Sequence, residues 1–223
     1  TAAVLLPVAP LMHAAGQWTS LSWLFCVGKV VLRPGSLDPD DVWRTIAAEG
    51  VNLITIVGDA VARPLLDAWD AAGGYDVPTL FSIGSGGAPL SPTLRRRIQS
   101  ILPDVFLADG FGSSETGAQG TARMAADSDA RAAFVPTDDT TVVLDEDLQS
   151  VAPGSDAVGR VARTGHIPLR YHGDPERTAA TFVERDGRRW VITGDMATVA
   201  EDGSINLLGR GTGCINTGGE KVF

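Results

Sequence analysis

Five short apolar runs punctuate the first half of the chain: AVLLPVA, KVVLR, VNLITIV, TLFSIGS and DVFLADG. They are β-branched or leucine-rich and bounded by Gly, Pro or Asp, the pattern of strands. Between them lie stretches with helical periodicity and readable caps. In LDPDDVWRTIAAEG, Asp38 suits the N-cap and Pro39 the first helical position; Val42, Trp43 and Ile46 form an inner stripe and Gly50 ends it. In LSPTLRRRIQSILP, Ser91 caps, Pro92 opens, and Leu94, Ile98, Ile101 and Leu102 face inward. DAVARPLLDAWDAAGG makes a third helix, its start blurred by Pro64. LSWLFCVGKVVL reads as a buried helix followed by a buried strand. This alternation leaves few folds open: an α/β domain with a largely parallel sheet and helices flanking its faces.

The texture changes after residue 124. AADSDARAAFVPTDDTT is polar and reads as a linker or long loop over 125–140. Beyond it TVVLD, AVGRVAR, RRWVITG, MATVAED and SINLLGR read as short strands, with EDG as a hairpin turn between the last two. The expected organisation is an α/β subdomain over 1–124 and a small antiparallel β subdomain, distorted and barrel-like, over 141–223. A net charge of −9 argues against nucleic acid or an anionic membrane as partner. The longest apolar run is too short to span a bilayer, so no transmembrane segment is expected. Cys26 and Cys214 match no metal spacing and read as reduced thiols of a cytoplasmic protein.

DGFGSSETG, residues 109–117, follows a strand, and in open parallel sheets ligands bind past the carboxyl ends of strands. Gly110 and Gly112 allow close approach to the backbone. Successive N–H groups and the hydroxyls of Ser113, Ser114 and Thr116 suit an anion. Glu115 conflicts with a bare phosphate: two like charges about 4 Å apart repel by roughly 4 kcal/mol at an effective dielectric near 20. A cation between them removes the conflict, and Mg²⁺ takes a few carboxylate oxygens together with phosphate oxygens. The stretch therefore reads as a nucleotide–metal loop, with Phe111 as a surface for a base; a plain glycine-rich turn is the alternative. SIGSGGAPL also ends a strand, and Gly84, Gly86 and Gly87 leave room for a flat ring. In WVITGDM, Asp195 follows a glycine and can accept two ribose hydroxyls. In LLGRGTGCINTGGEKV, Arg210 can face ribose or phosphate.

Taken in order, PLMHAAGQW, SGGAPLS, GFGSSETG, YHGDPERTAATF, TGD and GRGTGCINTGGEKV resemble the motifs of the adenylate-forming enzymes. That superfamily includes acyl-CoA synthetases, luciferases and peptide-synthetase adenylation domains. The ending resembles the fatty-acid–CoA ligases. The resemblance implies that Gly86, Gly87 and Ala88 line adenine, that Asp109 contacts its amino group, and that Phe111 stacks on the ring, with Gly110 and Gly112 beside it. It implies Thr116 at the α-phosphate, Glu115 at Mg²⁺, and Asp195 and Arg210 at the ribose. It implies His13 near the carboxylate and pantetheine tunnel, and Lys221 in the segment that approaches thioester chemistry. His166 and His172 match no such role and read as surface residues. The implied substrates are ATP, coenzyme A and a small carboxylic acid. HAAGQWTS carries no acid for a substrate ammonium, so an apolar acid tail is expected, with Trp18, Trp23 and the region of Gly84 able to line its pocket. A homodimer is allowed for.

Two family elements are missing: the phosphate loop that precedes the histidine motif and the C-terminal domain with its lysine. Gly213 stands where the family usually has a hinge Asp or Lys. The expectation is therefore the middle part of an acyl-CoA synthetase, inactive as an isolated chain. Rival readings are a non-catalytic nucleotide- or acyl-binding module, and a luciferase-like or aryl-acid adenylating enzyme.

Overall fold

The computed structural model describes residues 2–124, 133–210, 215–216 and 221–222. They form two compact units: 2–110 with 123–124, and 111–122 with the described residues from 133 onward.

The first unit is built on β1 (Val4–Pro7), β2 (Lys29–Val30), β3 (Leu53–Ile56), β4 (Ser82–Gly86) and the first half of β5 (Phe106–Ser113). These strands are parallel and lie in the order β2-β1-β3-β4-β5. The register aligns Leu6, Ile54, Ile83 and Leu107 as one rung across four strands, and all four side chains are buried. That rung belongs to a core shared with α2 (Pro39–Glu49), α3 (Gly58–Ala72) and α4 (Pro92–Ile101).

The helices follow the expected caps. Asp38 accepts the N–H groups of Asp40 and Asp41, Pro39 opens α2, and Gly50 closes it in the left-handed region. Val42, Trp43 and Ile46 are its buried residues. Ser91 caps α4, which buries Leu94 and Ile98, while Ile101 and Leu102 are only partly buried. α3 starts at Gly58 and runs through Pro64, so the proline sits inside the helix and leaves one carbonyl without its usual donor.

The helix expected in LSWLFCVGKVVL exists as α1 (Ala14–Phe25), but it is not buried. Its buried residues are Gly16 and Ser20, one turn apart. A Cβ at Gly16 would collide with the carbonyls of Ala9 and Pro10, so α1 approaches the backbone of the loop after β1 through its small side. Leu21, Leu24 and Phe25 therefore point outward, and Phe25 is 86% exposed. The following strand shrinks to the two residues of β2.

The second unit is antiparallel. It holds β6 (Gly117–Arg123), β7 (Ala133–Pro136), β8 (Thr141–Leu144), β9 (Gly159–Arg163), α5 (Pro175–Thr181), β10 (Phe182–Arg185), β11 (Arg188–Val199) and β12 (Ile205–Arg210). Strands run in the order β6-β7-β12-β11-β9-β8, with β10 also on β11. β13 (Ile215–Asn216) and β14 (Lys221–Val222) pair with each other. Two features differ from the sequence reading. The span 125–140 contains β7, where Phe134 turns inward and Val135 outward, a period-two signal drowned by polar neighbours. RRWVITG and MATVAED form one strand, β11, because pairing with β12 and β9 carries the chain past Gly194. The EDG turn does join β11 to β12, with Gly203 at φ +83°.

Candidate active site

In the first unit the register brings five expected residues to one place. Ser85 lies opposite Asp109, and Gly86 opposite Gly110, at the carboxyl end of β4 and midway along β5. Gly87 then leaves the strand at φ +79°, a conformation that favours glycine, and Ala88 follows. The α3 start pins this loop. Asp59 accepts the Ser91 N–H at 2.7 Å and donates its own N–H to the Pro89 carbonyl at 3.1 Å. The Gly58 N–H reaches the Ser85 hydroxyl at 3.2 Å, and a Cβ at Gly58 would overlap the Pro89 and Ala88 carbonyls. Asp59 was not anticipated; its partners lie about thirty positions away.

Asp109 is half-buried. Burial pushes its carboxyl up to about 6, against the Gly110 N–H and the charge of Arg95, which pull it down. A carboxylate this poorly solvated gains from a ligand donor such as an exocyclic amine. His13 ends the loop after β1 and stands at the N-cap of α1, exposed and without a side-chain cap bond. It lies at the same end of the sheet as Asp109. Trp18 is half-buried on α1. Trp23 is at the far end: its indole N–H donates to the Ala3 carbonyl at 2.9 Å, ahead of β1. Trp23 therefore lines nothing beside Gly84, since α1 runs back along the sheet away from that carboxyl end.

The second unit holds the hydroxyl-rich turn. β5 continues through Phe111 and Gly112 to Ser113, and β6 starts at Gly117, so the glycines lie within a hairpin rather than beyond a strand. A Cβ at Gly112 would overlap the Gly117 carbonyl; that close approach is what the glycine permits. Phe111 is half-buried and packs edge-on against Phe134 at 4.9 Å. Thr116 is 4% exposed. Its hydroxyl accepts the Ser113 N–H at 2.9 Å and donates to the Gly117 carbonyl at 3.0 Å, so Thr116 closes the turn from beneath.

Glu115 points to two residues that sequence reasoning left without a role. Tyr171 donates its hydroxyl to Glu115 Oε1 at 2.6 Å, and Arg177 approaches the same oxygen at 3.7 Å. Burial works to raise the Glu115 carboxyl. It is outweighed by the Tyr171 hydroxyl, the residue's own N–H, the Ser113 hydroxyl and the Arg177 charge, which together hold it below the usual carboxylate range. Both partners lie in YHGDPERTAATF, but nothing local links them to a residue 56 positions earlier.

Asp195 lies within β11 and accepts the Thr193 hydroxyl at 2.7 Å. Around it the pairing with β9 jumps from Ile192 to Met196, and Gly194 adopts φ +88°. Such bulges re-aim side chains. The backbone of Arg210 is the cross-strand partner of Asp195, and Lys221 stands opposite Asn216. His166 and His172 are exposed, as expected. Gly213 and Cys214 lie outside the described residues.

Among the described residues, no group of three or more His, Cys, Asp or Glu is gathered for a metal ion. Mg²⁺ bound chiefly through phosphates needs only one or two carboxylates, and the ionised Glu115 beside Ser113 and Thr116 fits that demand. Among the described residues, no helix is long and apolar enough to cross a membrane.

The family model described as AMP-binding enzyme matches residues 2–166. A 3-oxocholest-4-en-26-oate–CoA ligase of Rhodococcus rhodochrous is 43% identical over 97% of this chain and 40% of its own length. A medium/long-chain-fatty-acid–CoA/3-oxocholest-4-en-26-oate–CoA ligase of Mycolicibacterium smegmatis is 44% identical over the same shares. The chain thus spans about 40% of the length of these relatives. Apo MatB from Rhodopseudomonas palustris covers the whole chain with 43% of its own length, at a TM-score of 0.77 and 24% identity, a likeness of fold. With its motifs, its mixed α/β fold and a family match over most of its residues, the chain belongs to the AMP-binding family of adenylate-forming enzymes.

Proposed function

We propose that the protein carrying this chain activates an apolar carboxylic acid with ATP and passes the acyl group to coenzyme A. The acid's oxygen attacks the α-phosphorus, pyrophosphate leaves, and the thiol of coenzyme A then displaces AMP from the acyl carbonyl. The observation that carries the reading is the ionised Glu115, held on a glycine-rich turn beside Thr116 in a chain of this family. The CoA-ligase names of the relatives favour a fatty or steroid-derived acid.

In the α/β subdomain proposed over residues 1–124, the main chain at Gly86, Gly87 and Ala88 borders the adenine. Asp109 accepts from its amino group and Gly110 leaves room for the ring. His13 serves the acid or pantetheine side. In the residues that follow, Phe111 offers a ring face, Gly112 allows approach to the turn, and Thr116 orients the α-phosphate. Asp195 and Arg210 hold the ribose, and Lys221 belongs to the segment used in thioester formation. Glu115 would hold Mg²⁺, which neutralises charge on the phosphates. The protein's remaining share is orientation and preorganised hydrogen bonding. The exposed free thiol of Cys26 suits a cytoplasmic setting; we keep a homodimer as a working expectation.

The test is ATP–pyrophosphate exchange by the whole protein that carries this chain, with medium-chain, long-chain and steroid-derived acids. Exchange confined to amino or aryl acids would remove the acyl-CoA reading.

A further inference from the structure

The segment YHGDPERT is folded by its own polar groups. Asp174 caps α5, its carboxylate accepting the Arg177 N–H at 2.9 Å, and Pro175 takes the first helical position. The Thr178 hydroxyl donates to the Asp174 carbonyl at 2.6 Å and accepts the Tyr171 N–H at 3.0 Å. Gly173 turns at φ +69°. The outcome is a stiff bend that sets the Arg177 guanidinium over the Tyr171 ring, 4.2 Å from its centre, while Phe182 supports the ring edge-on at 5.6 Å. Both residues then meet one oxygen of Glu115. Nothing about a surface loop requires this convergence. Arg177 is 61% exposed, whereas the Glu115 side chain keeps only 21% of its surface.

We propose that Tyr171 is a positioning residue for Glu115 and Arg177 its replaceable counter-charge: the YHGDPERT bend aims the carboxylate for the cation that accompanies nucleotide. The inference rests on the reading of Glu115 as a magnesium ligand. A carboxylate has two oxygens and about four lone-pair sites, so it can take a metal without giving up the tyrosine. The exposed Arg177 contact is weak and yields to a stronger cation. Tyr171 donates a charge-assisted bond from a fixed ring and stays.

The sequence supplies an internal control, because it has two tyrosines and each donates to a carboxylate at 2.6 Å, Tyr75 to Asp40 and Tyr171 to Glu115. The experiment is NMR of the full chain labelled at tyrosine Cζ, titrated with Mg²⁺ and ATP up to millimolar concentrations, with nucleotide binding also measured in EDTA. The expected result is a Tyr171 signal that moves with Mg²⁺–ATP while Tyr75 stays. Tyr171→Phe, which keeps the ring on Phe182, should weaken the magnesium response of binding about tenfold and leave binding in EDTA unchanged. Glu115→Gln should abolish the magnesium response. If Glu115→Gln removes the response but Tyr171→Phe does not, the positioning role is overturned and the metal reading stands. If the response survives Glu115→Gln, the metal reading fails and takes this inference with it. A Tyr171 signal indifferent to Mg²⁺–ATP overturns the inference as well.

Discussion

The two tyrosine–carboxylate pairs use the same bond at the same length in unlike settings. In the first unit Tyr75 stacks on Trp43 at 5.8 Å and leans on Trp69. Its partner Asp40 sits in the first turn of α2, paired with Arg44 at 2.9 Å. That turn is already capped and the carboxylate half-exposed, so the pair fastens a helix to a neighbouring loop. In the second unit Tyr171 reaches a carboxylate on a turn of glycines and hydroxyls. Asp109 completes the comparison as a half-buried carboxylate whose burial outweighs the Gly110 N–H and the charge of Arg95, and its carboxyl rises to about 6. Glu115 also carries a burial penalty and still ends low, because Tyr171, its own N–H, Ser113 and Arg177 outweigh it. The lesson is that the same tyrosine–carboxylate bond serves different settings, and that the surroundings of a carboxylate, rather than any one bond, decide how its burial is offset.

The sharpest way to break the comparison is to neutralise both acids. Glu115→Gln should lower ATP–pyrophosphate exchange by about 10²–10³-fold, the scale for removing one preorganised charged contact. Asp40→Asn should leave exchange within about twofold, as for changes away from such machinery. Equal losses would mean that the two pairs do the same work.

Asp109 offers a test by pH. Its carboxyl lies above the unfolded value, so the native state binds the extra proton between about pH 4 and 6. Stability from this group falls as pH rises through that window, and the full penalty is present above it. Asp109→Asn should therefore stabilise the chain at pH 7 by about 1–2 kcal/mol, below the full value of a two-unit shift because the group is partly solvated. The gain should vanish near pH 4. Urea denaturation at the two pH values measures it; a gain that is the same at both would contradict the burial argument.

Thr116→Val removes a buried hydroxyl and leaves the Ser113 N–H without its acceptor. The expected cost is about 1–2 kcal/mol in denaturant unfolding, at the low end if water reaches the vacated site. The smallest effect belongs to the exposed arginines. Arg44→Gln and Arg177→Gln should each change stability by less than about 0.5 kcal/mol. Only Arg177→Gln should tighten the response to magnesium, by removing a competing cation beside Glu115.

Much of the frame was legible before any coordinates. The caps at Asp38 and Ser91 and the stripes in α2 and α4 were read correctly because the residues that decide them lie within one or two turns of each other. The candidate site was legible as a set of motifs, since glycines, hydroxyls and a lone acid after a strand carry their chemistry in local order. α1 misled because hydrophobicity does not say which side packs, and close approach at Gly16 chose the small one. β11 misled because Gly194 resembles a strand end, whereas β9 pairs with the chain on both sides of it.

The amino-acid sequence by itself determined the alternation of strands and helices, their caps and the family to which the chain belongs, all encoded in contiguous residues. Tertiary structure alone decided that Ser85 faces Asp109, that Asp59 ties down the loop before α4, and that Tyr171 and Arg177 meet Glu115. Those pairings join residues tens of positions apart, and only packing, which sets register and brings distant backbone together, selects among them.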